Sequence, residues 1–123
     1  MKQRILAYLL TLSILLGLLP MGALAAKSTI PFQDVKTTHW FYDEVKFVYD
    51  EGMMNGTGNM MFSPNASTTR GMIWTILARY AGQPTDGIPW YVAGQTWAKE
   101  NNISDGTNPM GNITREQMVT MLY

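Results

Sequence analysis

Few side chains in this sequence could do chemistry, and most of those come in pairs. Arg70 and Arg115 each follow a threonine, Thr69 and Thr114, and each opens a segment with helical apolar spacing. A guanidinium in that place offers permanent charge and a planar fork of donors, which suits a planar anion. The unpaired N–H groups of a first helical turn add to the same field. The rival role for each arginine is an ion pair with a neighbouring carboxylate. His39 is the sole histidine, and beside Trp40 at a helix start it reads as a capping or surface residue. No cysteine is present, which excludes disulfides, thiolate catalysis and Cys-ligated zinc. The sequence shows no Ser-His-Asp set, no zinc set and no convincing carboxylate pair. Asp43, Glu44, Asp50 and Glu51 lack the alternating oxygen ligands of a calcium loop and read as a solvated helix face. Asn55-Gly56-Thr57-Gly58-Asn59 lacks the Gly-Lys-Ser/Thr of a phosphate loop and reads as a turn bordering a groove. Ten methionines suggest adaptable packing rather than a thioether metal site. No catalytic residue, metal site or cofactor is expected.

The elements that must position these residues occur twice. Trp40 precedes Gly56 by 16 positions, and Trp90 precedes Gly106 by the same 16. Phe47 and Trp97 each stand seven after their leading tryptophan. From glycine to arginine the copies differ, 14 positions against 9, so the second has a shorter connecting loop, where length changes are tolerated. Each copy predicts helix, loop, helix. Phe41, Val45 and Val48 fall on one face of the first helix, and Gly52 stops it. Thr69 is the expected N-cap of the second, which carries Met72, Ile73, Ile76, Leu77 and Tyr80 as its apolar stripe and ends at Gly82. In the second copy Thr114 and Gln117 have the spacing of a capping box; Met72 holds the matching place in the first copy, which predicts a half-made cap there. Trp40, Trp90 and Trp97 lie on faces expected to be buried. Such short helix pairs cannot bury an apolar face alone but can when copies pack together.

The N-terminus has a different character. Lys2 and Arg4 precede an almost unbroken apolar run from Ile5 to Leu19, then Pro20, Gly22 and the small-residue pattern Ala23-Leu24-Ala25. This is the layout of a secretory signal peptide over residues 1–25, and its run is shorter than the roughly 20 residues of a spanning helix. Beyond it lie seven basic and nine acidic side chains. That balance offers no basic stripe for nucleic acid and no polybasic membrane patch. Four Asn-x-Ser/Thr sequons, at Asn55, Asn65, Asn102 and Asn112, are short patterns that by themselves carry little meaning.

The ordered set Phe32-x-Asp34-Val35, His39-Trp40, Val45, Gly52, Asn55-Gly56, Phe62-x-Pro64-Asn65 and Thr69-Arg70 resembles the S-layer homology repeat. Trp90-Tyr91, Asp105-Gly106 and Ile113-Thr114-Arg115-Glu116-Gln117 resemble it again. The first copy departs from the family's Thr-Arg-Ala-Glu ending with Gly71-Met72. The second has Thr85-Asp86-Gly87-Ile88-Pro89 in place of the Phe-x-Asp-Val arm, and it stops within its last helix. The expected organisation is a complete repeat over 31–82 and an incomplete one over 88–123. The resemblance implies an all-α fold of helix–loop–helix repeats, here a partial pseudo-threefold bundle. It implies non-covalent anchoring to a secondary cell-wall polymer attached to peptidoglycan, often a pyruvylated polysaccharide, at the surface of a bacterium. Arg70 and Arg115 then become the carboxylate contacts, with Thr69, Thr114 and Gly56 beside them. Trp40 and Trp90 would stack on a sugar face, and Asp34 would orient an arginine or accept from a hydroxyl. The alternative for Asp34 is a purely structural hydrogen bond. Two alternatives to the anchoring reading are an assembly fragment completed by self-association or a partner, and a small secreted wall-active enzyme, for which no catalytic set is present.

Overall fold

The computed structural model describes residues 29–123; the expected signal segment lies outside them. Four helices follow one another: α1 (Tyr42–Asp50), α2 (Arg70–Tyr80), α3 (Val92–Glu100) and α4 (Arg115–Leu122). Extended pairing among the described residues is limited to isolated bridges, Gly58 with Met61 and Thr69 with Asn112. The fold is all-α.

The ends of the helices follow from local chemistry. Thr69 accepts from the N–H of Met72 and caps α2 singly, while Thr114 and Gln117 close α4 with a reciprocal capping box. Helices α1, α2 and α3 all end by the same device. The residue after the cap takes a positive φ, at Gly52 (68°), Gly82 (72°) and Asn102 (57°), and the next N–H reaches back to Val48, Ala78 or Ala98. This is a Schellman closure. Asparagine serves in the third because its short polar side chain tolerates the left-handed region.

Two apolar clusters hold the chain. In the first, the arm carrying Phe32 and Val35 packs on Val45 of α1, with Phe41, Tyr49 and Phe62 around it. In the second, Trp74 of α2 and Ala98 of α3 are fully buried and join Met121 of α4. The contact between α2 and α3 is the principal helix pairing. It is close because of Gly94: a Cβ there would stand 2.7 Å from the backbone nitrogen of Thr75.

Two expectations about burial are corrected. The stripe Met72, Ile73, Ile76, Leu77 and Tyr80 is only half-buried, and Tyr80 is exposed. The covered face of α2 is instead Arg70, Gly71, Trp74, Thr75 and Ala78, the face turned to α3 and its following loop. The tryptophans are not uniformly core either. Trp40 is 88% exposed and Trp90 42%, whereas Trp97 packs against the second cluster.

Candidate ligand-binding site

The expected site residues fall into two groups. One group spends its polar atoms inside the fold. Asp34 holds the N–H groups of Phe62 and Ser63 on its two carboxylate oxygens, at 2.9 and 2.7 Å. These bonds, that of Phe62 foremost, hold its pKa below the ordinary carboxylate value. The contact fixes the loop at Ser63, which has a positive φ.

Arg70 is treated the same way. Its Nε donates to the carbonyl of Thr107 at 2.8 Å, and its Nη2 donates to Asp105 at 2.6 Å and to Ser104 at 3.2 Å. Its guanidinium carbon lies 5.5 Å from the centre of the Trp74 ring, a cation–π contact. With only 9% of the residue exposed, Arg70 ties the first copy to the turn of the second. Asp105 in turn accepts from the N–H and hydroxyl of Thr107, and these bonds, ahead of the charge of Arg70, hold its carboxyl below the usual range. The first N–H groups of α2 are also taken: Arg70 donates to Gly111 and Gly71 to Pro109. The helix start expected to face an anion is therefore closed at α2.

The second group is open. Arg115 is exposed, and among the described residues no loop carbonyl takes the first N–H groups of α4. Trp40 stands out to solvent, edge-on to Phe41 at 5.4 Å. Near it a cavity of about 420 Å³ runs between His39, Phe41, Ser63 and Pro64. His39 accepts the N–H of Lys36 on Nδ1, closing the turn that precedes α1; it does not cap the helix, whose N-cap position is Phe41 with no side-chain bond.

A second cleft, of about 440 Å³, brings Gly56 and Trp90 together. Its floor is α2, through Met72, Thr75, Ile76 and Arg79. Its sides are the turn 53–57 and, from the second copy, Trp90 and Met110. Gly56 can be only glycine: its φ is 84°, and a Cβ would stand 2.6 Å from both the Phe32 ring and the Met61 carbonyl. The turn's Thr57 N–H is already given to Met61 at 2.8 Å, so the turn lines the cleft without cradling a phosphate. Arg79 was not singled out by sequence, since a basic residue in a last turn reads simply as a partner for the helix dipole. No group of His, Cys, Asp and Glu able to hold a metal occurs among the described residues.

A family profile, the S-layer homology domain, matches residues 31–71. The chain carries an S-layer homology domain. It is 35% identical to an endoglucanase of Bacillus sp. (strain KSM-635), over 76% of this chain and 11% of that protein. It is 25% identical to the S-layer protein of Bacillus thuringiensis subsp. finitimus and to the S-layer protein sap of Bacillus anthracis, over 98% of this chain and 16% of each. The chain thus spans less than a fifth of the length of these curated relatives. No solved structure matches significantly. The S-layer homology domain marks the chain as a cell-wall anchoring module in the general sense, with its place at the cell surface or wall. No helix among the described residues is long and apolar enough to cross a membrane.

Proposed function

We propose that this S-layer homology module binds a secondary cell-wall polysaccharide, without turning it over, in the cleft between the turn 53–57 and Trp90. The observation that carries the reading is the cleft itself. It is the cavity in which a residue of the Asn-Gly turn, Gly56, and a leading tryptophan, Trp90, meet across the two copies. A pyranose has an apolar C–H face, and a half-exposed indole offers a flat partner for it. Asn55, exposed on the rim, adds an amide to meet a ring substituent. Arg70 holds the second copy's turn in place, and Arg115 and Trp40 supply further exposed contacts along a long polymer.

The test is co-sedimentation of the purified chain with wall sacculi that retain or lack their secondary polymer. Binding is expected only to the former. Trp90→Ala should lower it several-fold with helical circular dichroism unchanged, whereas Arg70→Ala should lower binding and melting temperature together. Equal binding to stripped sacculi would refute a polymer ligand, and full binding by Trp90→Ala would remove it from this cleft.

A further inference from the structure

One charge in this cleft has no counter-charge among the described residues. Arg79 lies in the last turn of α2, half-buried, in the floor of the cleft. Its Nε donates to the Thr85 hydroxyl at 2.8 Å and its Nη1 to the Met53 carbonyl at 3.2 Å. Both acceptors are neutral. The ion pairs among the described residues are Lys46 with Asp50 and Arg70 with Asp105, and neither involves Arg79. Only part of the guanidinium's fork of donors is used. Its surroundings in the cleft are mostly apolar: Met72, Ile76, Phe62, Trp90 and Met110. The C-terminal dipole of α2 favours a cation here but does not supply a carboxylate. Filling such a cleft with a neutral ligand would strip water from the cation and return nothing for it.

We infer that Arg79 is a ligand-binding residue, holding the acidic group of a saccharide unit whose apolar face lies on Trp90. It lies outside both Thr-Arg pairs. The inference rests on the reading of this cleft as the polymer site, and it adds the residue that selects for acid. Electrostatic attraction is strongest where water is excluded, so a carboxylate bound between the methionines and Trp90 gains more from Arg79 than it would at an exposed arginine.

The experiment compares equilibrium binding of the purified chain to wall polymer in its native form and after chemical reduction of its carboxyl groups to alcohols. Wild type should prefer the native polymer by at least about tenfold, the loss expected for a charge-assisted hydrogen-bonded contact. Arg79→Gln should bind the two forms alike, and Arg79→Lys should keep part of the preference. Because Arg79 also holds Met53 and Thr85, a variant on the exposed rim serves if Arg79→Gln fails to fold. Met110→Glu places a negative charge in the cleft and should weaken binding of native polymer more than that of the reduced form, so that the preference for acid shrinks. A folded Arg79→Gln that still prefers the acidic polymer overturns the inference, as does a Met110→Glu that treats both forms as wild type does. If wild type binds both forms equally and Trp90→Ala weakens both, the cleft reading stands and Arg79 does not select. If Trp90→Ala changes neither, the cleft reading itself fails.

Discussion

Two carboxylates do positional work that a charge enables. Asp34 binds the N–H groups of Phe62 and Ser63, and Asp105 binds Thr107 and Arg70. Both have folded-state pKa values below the ordinary one, for these hydrogen-bonding reasons. A depressed carboxylate stabilises the fold above its unfolded-state pKa and loses that contribution as pH falls through the folded value. Asp34→Asn and Asp105→Asn should therefore melt below the parent at neutral pH, and the gap should close in acid, below about pH 4. Thermal melts across the acid range decide this, and a gap that stays constant would show that ionisation is not its source. Trp74 poses a different question. It is wholly buried, yet its indole N–H has no acceptor among the described residues. Loss of the ring should be costly, while loss of the N–H alone should not, because an unsatisfied buried donor is itself a penalty. Trp74→Ala should cost about 3–5 kcal/mol in denaturant unfolding. Trp74→Phe should cost less than half of that, and equal losses would mean that the N–H is satisfied by bound water.

At the scale of the element, the pairing of α2 with α3 depends on what is missing from it. Gly94 leaves room for the backbone of Thr75, and Gly71 lies where a Cβ would meet Pro109 and Tyr91 at 3.0 Å. Gly94→Val should separate the helices and cost about 3 kcal/mol by urea titration. Valine at the matching place in α1, Glu44, should be nearly neutral, since that residue is exposed. This pairing also explains what could be read in advance. Caps and stops are local: Thr69, Thr114 with Gln117, Gly52 and Gly82 all stand where their chemistry placed them. The buried face of α2 is not local. Close approach demands Gly71, Thr75 and Ala78, small residues with little hydrophobic signal, and so the brighter stripe through Met72 and Ile76 looked like the core. Trp40 and Trp90 show the same limit. The Trp90 ring lies 3.5 Å from the Cβ position of Gly71 on the preceding α2, while Trp40, the same residue type at the same register, has no preceding helix among the described residues to cover it. Of the candidate site, Gly56 and Trp90 were legible because the repeat marks them. Arg79 was not, because only the assembled cleft shows that its charge is unanswered.

At the scale of the whole molecule, the repeat turns one interface into a test of another. Helix α2 presents Arg70 and Gly71 to α3 and to the turn containing Asp105, and this face is covered. The equivalent face of α4 carries Arg115, Glu116 and Val119, and it is exposed, Val119 to 66%. A second copy could cover it in the same geometry only by offering α1 and the turn 53–57. There Glu44 replaces Gly94, Val48 replaces Ala98 and Asn55 replaces Asp105. The close helix approach is lost, the ion pair is lost, and Glu116 and Glu44 bring like charges into an interface of the kind that buries Gly71 and Gly94. Head-to-tail association of identical chains is thus opposed by three substitutions at once. Sedimentation equilibrium should return a monomer mass across a wide concentration range. The triple variant Glu44→Gly, Val48→Ala, Asn55→Asp makes the first copy's face match the second's, and it should associate with increasing concentration. Arg115→Ala added to that variant should return it to monomer. A wild-type chain that dimerises, with a dimer that Arg115→Ala dissolves, would show that α4 tolerates the acidic pair.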